Sequence, residues 1–131
     1  MSHKSKGINA ERELIHLFWK NNWTAIRTAG SGSNKYPSPD IVAGNILRKL
    51  AIECKASKNN AIYLIQEDID QITTYAKLFG AEPWLAVRFN NYEWFFMNIE
   101  DIKLTKNNNY VISTDYIKQK GLLFQEVIGN F

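Results

Sequence analysis

Asp40 stands thirteen residues ahead of Glu53, and the chain between them has the pattern of a β-hairpin. Asp40-Ile41-Val42-Ala43 is a short apolar strand, Gly44-Asn45 supplies turn chemistry, and Leu50-Ala51-Ile52-Glu53-Cys54-Lys55 is the return strand. Pro39, which has no N–H, marks where the preceding loop ends. Side chains alternate faces along an extended segment, so Glu53 and Lys55 share one face and Cys54 points the other way, into the core. The open end of the hairpin then brings Asp40 beside Glu53. This register commits the chain to a sheet whose edge carries two acids and a lysine at one spot.

Two adjacent carboxylates repel, and each raises the other's pKa unless a cation sits between them. Hard oxygen ligands with open positions suit Mg2+, with Mn2+ able to substitute. Such an ion polarises a scissile phosphate and lowers the pKa of a bound water. Lys55 is placed to orient that water or to stabilise charge developing on the phosphate. The set suits metal-assisted cleavage of a phosphodiester.

Residues 8 to 20 read as an amphipathic helix. At about 100° per residue, Ile8, Leu14, Ile15, Leu17, Phe18 and Trp19 share one broad arc, with Glu11 near its middle. A glutamate there is seldom fully buried unless paired or bound to metal. Two roles follow for Glu11: completing the metal site with Asp40 and Glu53, or forming a structural ion pair with Arg27 or Lys55. Arg12, Glu13, His16 and Lys20 fall on the opposite, solvated face.

At 131 residues the chain reads as one nuclease domain spanning 1 to 131. No apolar run approaches the roughly 20 residues of a membrane helix, and no cleavable signal segment is recognisable, so no membrane partner and a cytoplasmic location are expected. One cysteine and two histidines give neither a disulfide nor zinc spacing. The net charge of +3 hides an asymmetry: residues 1 to 60 hold ten Lys and Arg against four acids, residues 61 to 131 six against nine. Positive charge is concentrated where the acids of the site lie, which suits a polyanion.

His3, Lys4 and Lys6 form a basic arm over residues 1 to 7, expected to be flexible until nucleic acid is present. Residues 24 to 28 are a first strand. Residues 29 to 39, rich in glycine, serine and proline, predict a mobile loop directly before Asp40, flanked by Arg27 and Lys35. After the hairpin, residues 62 to 64 are extended, and Ile65, Ile69, Ile72, Ala76 and Phe79 mark one face of a second helix ended by Gly80. Residues 84 to 89 and 92 to 98 form another hairpin, whose aromatic run is either buried sheet or a subunit interface. Residues 113 to 120 suit a short capped helix, and 122 to 131 an apolar tail. The order is α-β-β-β-α-β-β: an α/β fold with a central mixed sheet flanked by helices.

The motifs run nearly end to end in one family. Lys4-Ser5-Lys6-Gly7, Ala10-Glu11-Arg12-Glu13, Ile26-Arg27, Gly30-Ser31-Gly32-Ser33, Pro39-Asp40-Ile41-Val42-Ala43 and Ile52-Glu53-Cys54-Lys55 resemble the archaeal Holliday junction resolvases of the Hjc and Hje type, within the restriction-endonuclease-like superfamily. The resemblance implies that fold, catalytic roles for Glu11, Asp40, Glu53 and Lys55, an assisting loop serine best matched by Ser31, and a DNA contact for Arg27. Lys4, Lys6, Arg12, Ser33, Lys35 and Lys58 are the further candidate DNA contacts. It also implies a homodimer that binds four-way junctions and nicks two opposing strands symmetrically, since a two-fold axis fixes the separation of two equivalent sites. The alternatives are a repair or restriction-type endonuclease acting on ordinary duplex, for which this compact chain has little extra recognition structure, and a junction-binding protein without catalysis, which the presence of all four side chains opposes. The terminus Gln125-Glu126-Val127-Ile128-Gly129-Asn130-Phe131 resembles a sliding-clamp-binding peptide through Gln125, Ile128 and Phe131; packing of the tail on the core is the competing reading.

Overall fold

A computed structural model of the chain describes residues 3–28, 35–58, 61–89, 93–102 and 109–129. Helix α1 (His3–Lys20) leads into β1 (Thr24–Arg27), β2 (Ile41–Gly44) and β3 (Lys49–Ser57), which form an antiparallel meander. β4 (Ala61–Ile65) leaves this sheet, helix α2 (Gln66–Phe79) crosses over, and β5 (Glu82–Phe89) returns parallel to β3 with Glu53 opposite Leu85 and Lys55 opposite Val87. A parallel pair requires such a crossover, and α2 supplies it. β6 (Phe95–Asn98) and a 3-10 turn (Ile99–Asp101) follow, then β7 (Asn109–Ser113), which pairs with β4 in a separate two-stranded sheet. Helix α3 (Thr114–Lys120), β8 (Leu122–Leu123) and the single-turn helix α4 (Phe124–Val127) complete the chain, giving a six-stranded mixed sheet in the order β1-β2-β3-β5-β6-β8.

The sheet is covered on both faces. On one lie Leu14 and Phe18 of α1 with Trp23, Ile41, Leu50, Ile52, Trp84, Phe96 and Phe124; on the other, Ile72 and Ala76 of α2 with Ala51, Leu85, Val87, Phe89, Ile112 and Ile117. This double burial explains the unbroken apolar run Leu50-Ala51-Ile52. It also decides the aromatic run. Trp94, Phe96 and Met97 are buried and Phe95 is half-buried, so β6 is interior sheet and not the subunit interface that the run otherwise allows.

The mixed sheet and its flanking helices match the expected fold class. Three expectations change. The helix expected from residue 8 begins at His3, so Lys4 and Lys6 ride on helical backbone and not on a flexible arm. Once α1 is nucleated by its packed turns, each added residue gains a hydrogen bond, and Gly7 costs only about 1 kcal/mol. Trp19, assigned to the apolar arc, is 55% exposed, with its indole N–H donating to the Ala25 carbonyl at 3.1 Å. The tail folds onto the core: Phe124, Val127 and Ile128 are buried while Gln125 is exposed. A clamp-binding role for Ile128 would remove it from the core, so packing is the reading that holds; Phe131 lies outside the described residues. Among the described residues no helix is long and apolar enough to cross a membrane.

Candidate active site

The hairpin sets the site. Its strands pair Ile41 with Ile52, and the ladder continues one residue further, where Asp40 N–H donates to the Ile52 carbonyl at 3.0 Å. From the other side, Thr28 N–H donates to the Asp40 carbonyl at 2.9 Å. Asp40 is thus held at the mouth of three strands by its own backbone. Its side chain is fixed as well: Oδ2 accepts from the Cys54 N–H at 2.8 Å, which turns the carboxylate over β3.

Glu53 and Lys55 project from β3 on the face covered by α2, as alternation requires. Glu53 Oε2 lies 3.9 Å from Lys55 Nζ, with the two side chains 18% and 33% exposed. Burial pushes the Glu53 carboxyl up to about 9, helped by the charge of Asp40 and a hydrogen bond to it; Lys55 opposes the rise without cancelling it, and Asp68 adds to it. At neutral pH the Glu53 carboxyl keeps its proton. Cys54 points to the opposite face and packs against the α1-side core, where burial and then the charge of Asp40 raise its thiol pKa, leaving it inert as a nucleophile.

Glu11 reaches the same end of the sheet from α1. Its Oε2 is 3.6 Å from Arg27 Nη1, the structural ion pair being one of the two roles open to it. Burial raises its pKa, the Asp40 charge raises it further, and Arg27 pulls it back. Glu11 therefore feels Asp40 while being held by Arg27. Among the described residues no three His, Cys, Asp or Glu side chains are gathered closely enough to hold an ion together. Asp40 and Glu53 are the gathered pair, and a donor set of one or two carboxylates completed by water and substrate phosphate is the kind Mg2+ takes. A carboxyl that keeps its proton beside a second acid is a site that a divalent cation fits by displacing that proton.

Arg12, Lys35 and Lys58 are exposed, with Lys35 Nζ 5.9 Å from the centroid of the Tyr36 ring. Ser31 and Ser33 lie outside the described residues, as do the side chains of Lys4 and Lys6. Two features escape a reading of the sequence. Asp68, in the first turn of α2, turns its Oδ2 to the Ile65 N–H at 3.1 Å, and its charge reaches Glu53. An acid at the start of a helix is ordinary capping and carries no signal of a site. Glu13, assigned to solvent, instead pairs with Arg88 of β5 and accepts from the Trp94 indole N–H at 3.1 Å. The available signal was Arg88 itself, a charge inside the otherwise apolar run of β5.

The chain has counterparts among known proteins. A family model described as archaeal Holliday junction resolvase (hjc) matches residues 2–131. The crossover junction endodeoxyribonuclease Hjc of Archaeoglobus fulgidus is 40% identical over 128 residues, covering 98% of this chain and 93% of that protein. The Hjc of Methanocaldococcus jannaschii is 38% identical over 130 residues, covering 98% and 92%, and the Hje of Sulfolobus acidocaldarius 32% over 120 residues, covering 86% and 85%. The crystal structure of Archaeoglobus fulgidus Hjc, a Holliday junction resolvase, superposes with a TM-score of 0.85 at 37% identity, covering 92% of this chain and 98% of that one. Sequence and fold agree over almost the whole length, and the chain belongs to the archaeal Holliday junction resolvase family, whose named members here are crossover junction endodeoxyribonucleases.

Proposed function

We propose that the protein is a homodimeric endodeoxyribonuclease that resolves four-way DNA junctions by Mg2+-dependent, paired nicks in opposing strands. The observation that carries this reading is the half-buried Asp40–Glu53 pair, brought together at the mouth of the hairpin, with the Lys55 ammonium 3.9 Å from Glu53. Asp40 and Glu53 would hold the ion; when bound, Mg2+ supplies Lewis-acid polarisation of the phosphate and a more acidic water. Lys55 stabilises charge on the phosphate oxygens, and Arg27, kept at the site by Glu11, is a fixed cation for the flanking backbone. Exposed Arg12, Lys35 and Lys58 extend that positive field. Ser31 would assist the reaction and Ser33 would contact the DNA, as the family resemblance implies. The relatives' names support the choice of junction over duplex. The second copy rests on symmetry, because two equivalent cuts need two equivalent sites. Leu78 and Phe79 on α2 offer it exposed apolar surface.

The test is cleavage of a labelled synthetic four-way junction, and of linear duplex of the same sequence, with Mg2+ or EDTA, beside Asp40→Ala. Symmetric nicks confined to the junction, lost in EDTA and reduced about a thousandfold or more in Asp40→Ala with binding retained, are expected. Equal cutting of both substrates would make this a general endonuclease, and tight junction binding without cutting an architectural protein.

A further inference from the structure

Glu13 and Glu11 leave α1 on different flanks. Two positions at about 100° each separate them by about 200° around the axis, and the core residues Ala10 and Leu14 lie between. On one flank Glu11 meets Arg27 of β1, an edge strand; on the other, Glu13 meets Arg88 and Trp94, on β5 and at the start of β6. The two links differ in strength. The Glu11–Arg27 separation is 3.6 Å, whereas Glu13 is held by both a guanidinium in direct contact and an indole N–H at 3.1 Å. Arg88 is committed to this task. Its side chain is only 24% exposed, and its buried Nε has no hydrogen-bond partner among the described residues.

Between these flanks, α1 rests on the sheet through apolar contacts such as Leu14 and Phe18. Apolar burial is non-directional and resists a small roll of the helix only weakly. Hydrogen bonds between charged groups are directional and fix such a roll. With side chains reaching about 5–6 Å from the helix axis, a roll of about 10° moves the Glu11 carboxylate by about 1 Å. A displacement of that size at a reacting centre costs on the order of a hundredfold in rate.

We propose that Arg88 is a positioning residue: through Glu13, and together with Trp94, it sets the roll of α1 and so places the Glu11 carboxylate and its Arg27 partner against Asp40. The inference rests on the functional reading above, in which Glu11 belongs to the site. Arg88 itself touches neither Glu11 nor the Asp40–Glu53 pair among the described contacts, so its influence runs through the helix.

The experiment separates binding from cleavage. Junction affinity is measured in Ca2+ in place of Mg2+, and single-turnover cleavage in Mg2+, for wild type, Arg88→Leu, Arg88→Lys and Glu13→Gln, each with a thermal melt. Arg88→Leu is expected to slow cleavage by about 10- to 100-fold at saturating protein, with affinity changed less than twofold. Arg88→Lys should recover most of the rate because an ammonium can still meet Glu13. If Arg88→Leu does not fold, Glu13→Gln decides, since it keeps an acceptor for Trp94 and loses only the charge. Wild-type rates in both Arg88→Leu and Glu13→Gln would overturn the proposal. A loss of affinity with the saturated rate intact would also overturn it, making Arg88 a DNA contact. A failure of Arg88→Lys to recover any rate counts against it in the same way. Should wild type cut no junction at all, the functional reading falls first and this inference with it.

Discussion

The two ends of the β2–β3 hairpin are built from the same strands and obey opposite rules. At the turn end, Asn45 Oδ1 accepts from the N–H groups of Leu47 and Arg48 at 2.9 and 2.8 Å, and Asn45 N–H donates to the Arg48 carbonyl at 3.0 Å. Arg48 then grips Glu82 with two 2.8 Å hydrogen bonds, donates to the Val127 carbonyl at 2.6 Å, and lies over the Trp23 ring at 5.5 Å from its centroid. The hydrogen bonds from Arg48 hold the Glu82 carboxyl below the usual range. At the mouth, burial and Asp40 push the Glu53 carboxyl up to about 9. One end spends its charges on folding; the other keeps two acids in a place where each disfavours the other. Local rules are satisfied where only the fold is at stake, and a site is marked by where they are broken.

The contrast is broken most forcefully at Glu53. Glu53→Gln keeps the shape and a hydrogen-bond donor for Asp40 but removes the second carboxylate. Cleavage of the junction should fall about a thousandfold or more, while at neutral pH the metal-free protein melts at a higher temperature than wild type, because folding no longer has to keep a proton that the unfolded chain releases. Rates and melting curves on one preparation check both halves. A variant that loses activity and stability together would mean that Glu53 is structural.

Arg48→Ala probes the other end and should give the reverse pattern. It leaves Glu82 and the Val127 carbonyl without their cation and uncovers Trp23. The side chains are about a third exposed, so solvent screening trims the cost to about 2 kcal/mol, read as an unfolding midpoint shift in denaturant. Junction cleavage at a temperature where the variant is folded should stay within about threefold of wild type.

The mouth of the hairpin was legible because alternation is local: thirteen residues suffice to place Asp40 beside Glu53, Lys55 on the same face and Cys54 opposite. The fold class followed from the same logic, since the helix and strand periods of α1, α2 and β5 are written in short windows. The Glu13–Arg88–Trp94 cluster was not, because its partners are more than seventy residues apart and a helix-surface period assigns Glu13 to water. The pairing of β4 with β7 escaped for a similar reason: its strands lie in segments separated by α2, β5 and β6. Ile128 shows the limit from another side. A terminal apolar residue suits a peptide motif and a core equally well, and only the presence of Phe96 and Phe124 in the same cluster decides between them.

A single titration sets the two ends against each other. In the metal-free protein the folded state keeps a proton on Glu53 up to about pH 9, while the unfolded chain releases it near 4.5. The folded state therefore binds more protons between those values, and stability falls as pH rises across that window, with a limiting slope of about 1.4 kcal/mol per pH unit. Glu11, also raised, pulls in the same direction. Glu82 has the opposite sign: its lowered pKa gives stability that is present above 4.5 and lost as pH falls through its folded value. Metal-free protein should thus be most stable just above pH 4.5, declining on the acid side through the turn end and on the basic side through the mouth. Saturating Mg2+ takes the place of the Glu53 proton, so the basic decline should flatten, with proton release on binding near pH 7 visible by calorimetry in two buffers of different ionisation enthalpy. Glu53→Gln should flatten the basic limb without metal and leave the acid limb unchanged. A basic limb that is flat in wild type would mean that Glu53 does not hold a proton at neutral pH, and would remove the electrostatic reason for assigning the ion to its site.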